Sequence, residues 1–436
     1  MTNKKRKPFH FDTIAIHEGQ TIDPITRSRA VPIYQTTSYL FDSTDHAADL
    51  FKMEGEGYIY SRNANPTIDV FEKRLAGLEG GVGAFAVSSG QAAIALALLT
   101  IAKAGDEIVA TNALYGGTFT LFTKTFPRFG VRVRFVDGDD LDAVEAAITE
   151  KTKAIYTETI GNPSLKIADI SALSRIAHDH EIPLVIDSTF TTPYLIKPFD
   201  FGADIVIHST TKFIGGHGTS IGGAIVDAGT FNWKNGKFPE FTEVNPSLNH
   251  RSFVEVAGNA AFITKVRFEL GHDLGASLSP FNGWLFIQGL ESLSFRIQQH
   301  VNNAQKVAEY LAQHEQVSWV NYPTLEGNEQ KEIAKKYLPK GAGSIFSFGI
   351  KGGLEAAKAF INSVQLLSHV ANIGDSKTLV IHPASTSHSR LSEEEQLRSG
   401  VTPELVRISV GLEDIDDLFA DINQALIVAS KSVQTV

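Results

Sequence analysis

From about residue 64 onward, short apolar runs alternate with stretches of helical periodicity. The runs fall at 84–87, 107–110, 131–136, 154–157, 183–187, 204–208 and 223–226. Most are continuous or nearly so, as strands buried on both faces are. Between them, 140–148 and 170–177 read as helices. Such alternation predicts a mainly parallel α/β sheet. Residues 1–63 lack this rhythm and are turn-rich, with Ile22-Asp23-Pro24 and Val31-Pro32-Ile33-Tyr34-Gln35. A segment of that kind is expected to drape over a partner surface. The stretch 227–250, rich in Asn, Pro, Phe and Gly, is expected to be a long loop or insertion. One long helix is expected over 282–313. A smaller α/β pattern follows, with strands at 344–350 and 406–410 and a helix at 354–364. The last helix carries Ile415, Leu418, Phe419, Ile422 and Leu426 as an apolar stripe. The pattern divides the chain into an N-terminal segment (1–63), a large domain (64–280) and a small C-terminal α/β domain (281–436).

Composition narrows the class. A chain of 436 residues corresponds to two or three domains at roughly 150 residues each. With 43% hydrophobic and 20% charged residues it is globular. A net charge of −10 gives no electrostatic footprint for nucleic acid or anionic lipid. The absence of cysteine removes disulfide scaffolds, zinc-thiolate sites and cysteine nucleophiles. The longest apolar run, 92–99, falls short of the roughly 18 residues a membrane span needs. The basic start, Met1 to Pro8, is not followed by the apolar region of a secretory signal, so a cytoplasmic location is expected.

Three segments could carry chemistry. In Ser209-Thr210-Thr211-Lys212 a strand ends in hydroxyl residues and a lysine. Burial lowers a lysine pKa, and a neutral amine can form a Schiff base. The hydroxyls could hold a phosphate beside it. The plainer alternative is a surface lysine in a Gly-rich turn. Asp187 closes the run 183–187, at the strand end where open α/β sheets bind ligands. It could keep a pyridine nitrogen protonated, or simply cap a helix. Ser88-Ser89-Gly90-Gln91 lies between a strand and a helix start, which makes an anion site or an ordinary capped turn. Gly218-Thr219-Ser220-Ile221-Gly222 fits the G-x-S-x-G pattern but runs into a strand instead of a helix, so it is rejected. Gly81-Val82-Gly83 lacks the third glycine of a dinucleotide loop and precedes its strand. His382 and His388 share a loop without partners at a metal spacing, so no metal site is expected.

Seven motifs then combine: 60–67 (Tyr60-Ser61-Arg62-Asn63-Ala64-Asn65-Pro66-Thr67), 88–92, 114–118, 158–163 (Glu158-Thr159-Ile160-Gly161-Asn162-Pro163), 187–190, 209–212 and 406–413. In this order they resemble the pyridoxal-phosphate (PLP) enzymes of cysteine and methionine metabolism. The resemblance implies the type I, aminotransferase-like fold, with a seven-stranded mainly parallel sheet in the large domain. It implies a homotetramer built as a dimer of dimers. It implies Lys212 as the Schiff-base lysine, Asp187 as the partner of the pyridinium nitrogen and Tyr115 stacked on the cofactor ring. Gly90, Gln91, Ser209 and Thr211 fall at phosphate contacts, Ser89 and Thr189 at further cofactor contacts and Asn162 at the phenolic oxygen. Tyr60 and Arg62 would reach the phosphate of the neighbouring subunit. Arg407 would fork onto the substrate α-carboxylate, with Asn372 and Tyr60 also on the substrate side.

Three further features resemble the branch that replaces the acetate of O-acetylhomoserine by sulfide or a thiol. They are the 227–250 insertion, the 273–282 stretch and Asn372-Ile373-Gly374-Asp375 ahead of 381–385. Gly117 stands where methionine γ-lyases carry cysteine. The implied alternatives are a cystathionine γ-synthase or γ-lyase and, more remotely, a catalytically silent PLP-fold regulatory protein. Gln91 replaces a methionine common elsewhere in the family. His272 stands where a longer basic side chain is expected, and no role is assigned to it.

Overall fold

The computed structural model describes residues 9–386, 389, 392–398 and 400–432; His388 and the basic start at 1–8 lie outside them. Each of the seven apolar runs becomes a strand of one sheet. These are β1 (Gly83–Val87), β2 (Glu107–Thr111), β3 (Arg132–Val136), β4 (Thr152–Glu158), β5 (Leu184–Asp187), β6 (Ile205–His208) and β7 (Gly223–Asp227). Their order is β1-β7-β6-β5-β4-β2-β3. β7 runs antiparallel to both β1 and β6, and the other neighbours are parallel. Strands β2, β6 and β7 are buried along their whole length, which explains their unbroken apolar sequences. β3 is an edge strand and alternates instead; its Arg134 forks onto Glu107 of β2 at 2.8 and 2.9 Å. Because the crossovers return each parallel strand in the same sense, loops gather at one carboxyl edge of the sheet.

The apolar run 92–99 belongs to the helix Gly90–Ile101, apolar on nearly every side because most of it is buried. Ser89 starts it by accepting the Ala92 N–H at 3.1 Å. Among the described residues no helix is long and apolar enough to cross a membrane.

A second sheet follows. It comprises β8 (Val317–Asn321), β9 (Ile345–Ile350), β10 (Ser368–His369), β11 (Leu379–Ile381) and β12 (Leu405–Ser409), in the order β10-β11-β12-β9-β8. The helices Gly353–Ser363 and Ile415–Ser432 pack against one another beside it. The architecture is therefore a large, mainly parallel α/β sheet with a smaller α/β part carrying its own sheet.

One expectation needs correction. The single helix over 282–313 is two, Pro280–Glu291 and Leu293–Gln313, broken at Ser292. The Arg296 guanidinium fills the break: it donates to Gly289 O at 2.7 Å, Phe213 O at 2.8 Å and Ile214 O at 3.2 Å. Those last two carbonyls directly follow Lys212, so the break braces the lysine loop. The 227–250 stretch is largely loop, as expected, but an ordered one. It holds a short helix, Pro239–Thr242, and a tight turn, Pro246–Leu248. Trp233 stacks on Phe241 at 4.3 Å and on Phe262 at 5.5 Å, so the aromatic residues build a small core of their own.

Candidate active site

The carboxyl edge of the large sheet opens into a cavity of about 260 Å³. Strand order explains which residues meet there. β4 ends in Glu158 and β5 in Asp187, while β6 leads into Ser209, Thr211 and Lys212. The reversed strand β7 brings β1, and therefore the Ser89-Gly90-Gln91 turn, beside the β6 exit.

That approach depends on glycine. A Cβ on Gly90 would lie 2.6 Å from Ser209 Cβ, and one on Gly223 would lie 2.1 Å from Ser89 O. With no side chains there, the helix start and the 209–212 loop close into one cradle. The first backbone N–H groups of the helix, at Gly90 and Gln91, have no partner within it. Such groups, with the Ser209 hydroxyl beside them, have the chemistry to hold an anion. The Gln91 Oε1 is buried with no hydrogen-bond partner among the described residues.

Asp187 does not cap a helix. Its Oδ1 accepts the Thr189 N–H at 2.9 Å, and Thr189 Oγ1 in turn accepts the Ser209 N–H at 2.8 Å. Burial pushes the Asp187 carboxyl above its usual range, against the hydrogen bonds from Thr189. Such a buried carboxylate suits a cationic ring N–H. Thr211 turns its hydroxyl to Gly222 O at 3.1 Å, which fixes the loop carrying Lys212.

Lys212 is not a surface lysine. Burial, and then the charge of Arg407, lower its pKa, as a reactive amine requires. Its Nζ donates to Asn372 Oδ1. The Asn372–Asp375 loop reaches the lysine because Gly374, at φ +71°, leaves room where a Cβ would meet Phe213 N at 2.8 Å. The Gly374 N–H is held by Ser409 Oγ of β12 at 3.0 Å.

Arg407 and Ser409 share one face of β12, but that face is not solvated, since Ser409 is 2% exposed. Burial lowers the Arg407 pKa. Its guanidinium donates to Asn372 O at 3.4 Å and has no ion pair among the described residues. A buried guanidinium of this kind is suited to an incoming carboxylate.

The cavity thus gathers Ser89, Gly90, Gln91, Tyr115, Asn162 and Asp187 from the sequence-derived set. It also gathers Thr189, Ser209, Thr211, Lys212, Asn372 and Arg407. It does not gather Tyr60 and Arg62. Those two lie together outside it, the Arg62 guanidinium 5.4 Å from the Tyr60 ring centre and 3.1 Å from His272 Nε2. Ile94, Ile160, Phe190 and Ile221 supply apolar wall, and Glu158 is a lining carboxyl group to which sequence reading gave no role. Its signal was available, since it ends β4 as Asp187 ends β5. His382 is held by Ser385 Oγ and Pro403 O, both at 2.8 Å.

Known proteins are similar to this chain over nearly its whole length. The chain is 54% identical over 427 residues to the O-acetyl-L-homoserine sulfhydrylase of Leptospira meyeri, covering 96% of this chain and 97% of that protein. It is 51% identical to the homocysteine synthase of Schizosaccharomyces pombe, covering 96% and 99%. A Campylobacter jejuni crystal structure, described as an O-acetylhomoserine (thiol)-lyase with N′-pyridoxyl-lysine-5′-monophosphate, superposes with a TM-score of 0.92 at 43% identity, covering 96% and 100%. The cystathionine γ-lyase of Lactobacillus plantarum gives a TM-score of 0.83 at 34% identity, covering 97% and 100%. The family described as Cys/Met metabolism PLP-dependent enzyme matches residues 12–427. By this match and by identities of this extent, the chain belongs to the PLP-dependent enzymes of Cys/Met metabolism.

Proposed function

We propose that this enzyme replaces the acetate of O-acetyl-L-homoserine by sulfide, giving L-homocysteine, and that methanethiol in place of sulfide gives methionine. The observation that carries the reading is the convergence of the Lys212 amine, the Asp187 carboxyl and the Arg407 guanidinium on one cavity. The names of the relatives, which span nearly the whole chain, support the choice of substrate.

PLP supplies an electron sink at the substrate's α-carbon. Gly90 and Gln91 N–H, Ser89, Ser209 and Thr211 would hold its phosphate. Asp187, steadied by Thr189, would face the ring nitrogen. Asn162 would meet the phenolic oxygen, and Tyr115 would cover the ring. Arg407 and Asn372 would bind the substrate α-carboxylate. The neutral Lys212 amine removes the Cα proton and then moves a proton at Cβ. Acetate departs from Cγ with the electrons of the C–O bond. Hydrosulfide then forms the C–S bond at Cγ, and protons return to Cβ and Cα.

Tyr60 and Arg62 lie outside the cavity of their own chain, which supports their service to a neighbouring copy. Leu274, 60% exposed in the turn that carries His272 to Arg62, adds apolar surface that suits a subunit contact. The reading therefore includes a cytoplasmic homotetramer, built as two dimers that each complete two sites.

The test is a substrate panel: O-acetyl-, O-succinyl- and O-phospho-homoserine and O-acetylserine, each with sulfide, methanethiol and cysteine. The expected result is the highest kcat/KM for O-acetylhomoserine with sulfide or methanethiol. A preference for cysteine as acceptor would replace this reading by cystathionine γ-synthase, and elimination without acceptor by a γ-lyase.

A further inference from the structure

Glu158 and Asp187 end neighbouring parallel strands in register, Glu158 opposite Asp187. Residues paired in this way project to the same face of a sheet. Both side chains line the cavity, and Glu158 is only 7% exposed. Its Oε1 accepts the backbone N–H of Tyr115 at 2.7 Å. Tyr115 otherwise stands at an open edge, with its side chain largely exposed.

We propose that Glu158 is a positioning residue, fixing the Tyr115 turn over the cavity and forming with Asp187 a carboxyl pair that carries a single negative charge. The proposal rests on the preceding reading only in placing the cofactor ring between Tyr115 and Asp187. Two carboxylates this close and this buried repel one another, so one of them keeps its proton. Asp187 is the better anion, because it accepts the Thr189 N–H and both Thr189 and His208 favour its ionised form. Glu158 receives one N–H and is pushed well above its usual range by burial and by Asp187. A protonated Glu158 still accepts from Tyr115 through its carbonyl oxygen. Other titratable groups frame the pair. Tyr156 lies on β4, His208 on β6 bonded to Glu79 at 2.6 Å, and Lys212 and Arg407 line the same cavity. Of these, the two cationic side chains and His208 favour ionisation, and Lys212 is itself lowered by burial.

Two variants separate the roles. Glu158→Gln keeps the acceptor for Tyr115 and removes the titration. Glu158→Met removes both. Glu158→Gln is expected to bind PLP within threefold of wild type, and Glu158→Met at least tenfold more weakly. A carboxyl pKa raised in the folded state withdraws stability as pH rises through it. The apo wild-type melting temperature should therefore fall more steeply between pH 5 and 8 than that of apo Glu158→Gln. Equal slopes would overturn the single-charge pair. Glu158→Met binding PLP as tightly as wild type would overturn the positioning role. Hydrogen exchange gives a check that needs no variant: the Tyr115 amide should be protected in the wild-type protein, and exchange at the free-peptide rate would also overturn positioning. None of these measurements uses O-acetylhomoserine, so their failure is distinct from failure of the substrate assignment.

Discussion

The Lys212 amine is bonded to Asn372 Oδ1, and this bond ties the loop after β6 to the loop between β10 and β11 of the second sheet. The carbonyl of the same asparagine accepts from Arg407 at 3.4 Å. One uncharged side chain therefore holds the amine without protonating it. Asn372→Asp would put a carboxylate against Lys212 and raise its pKa. Each unit lowers the neutral-amine fraction about tenfold. Apo Asn372→Asp should take up PLP about tenfold or more slowly at pH 7, as followed by visible absorbance, and the deficit should close by pH 9. Asn372→Ala should change the rate far less. Equal rates for the Asp variant and wild type would show that Asn372 does not govern the amine.

Arg407 offers a planar fork that a lysine ammonium cannot copy. Removing one partner of a desolvated charge pair costs about 2–5 kcal/mol, or roughly 30- to 5000-fold in kcat/KM. Arg407→Ala and Arg407→Lys should both fall in that range for O-acetylhomoserine. The KM for sulfide should hardly move, and PLP absorbance should persist. A loss of under threefold in Arg407→Ala would return the residue to a structural role.

Because Arg62 lies outside its own cavity, Arg62→Ala and Lys212→Ala chains should complement. Each variant alone is expected to be inactive. After subunit exchange, a mixed dimer would contain one site with Lys212 from one chain and Arg62 from the other. Activity should return to a fraction of wild type, and none should return if both residues serve the same chain.

His300 sits beneath the site, 1% exposed, with Nδ1 donating to Val410 O at 2.7 Å. Burial lowers its pKa to about 4. A depressed histidine pKa means that the unfolded chain takes up a proton first as pH falls. Stability should therefore drop between pH 6.5 and 4, by up to about 3 kcal/mol from this group at roughly 1.4 kcal/mol per unit. His300→Gln can still donate to Val410 O without titrating. Its melting temperature should fall less than wild type between pH 7 and 5, and an unchanged difference would exclude His300 as the source.

Strand positions were legible in the sequence because a doubly covered parallel strand must be continuously apolar. Strand order was not, since the reversal of β7 leaves no mark on its own residues: Gly223-Ala224-Ile225-Val226 would read the same in either direction. The helix break at Ser292 escaped because its cause, Arg296 bonding across to Phe213 and Ile214, is a tertiary contact. Lys212 and Asp187 stood out by their place at strand ends. Alternation along β12 identified the face Arg407 occupies, but not that the Asn372–Asp375 loop covers it. Glu158 passed without a role because its meaning comes from the neighbouring strand.

Among the described residues, the edge strand β1 has β7 as its only neighbour in the sheet, Val87 lying opposite Gly223. During synthesis, β1 and its Ser89-Gly90 turn leave the ribosome long before β7 exists. At about 5–20 residues per second the delay is on the order of ten seconds. Throughout that interval the front half of the phosphate cradle has nothing to close against. Cofactor capture is thereby expected to await completion of the sheet.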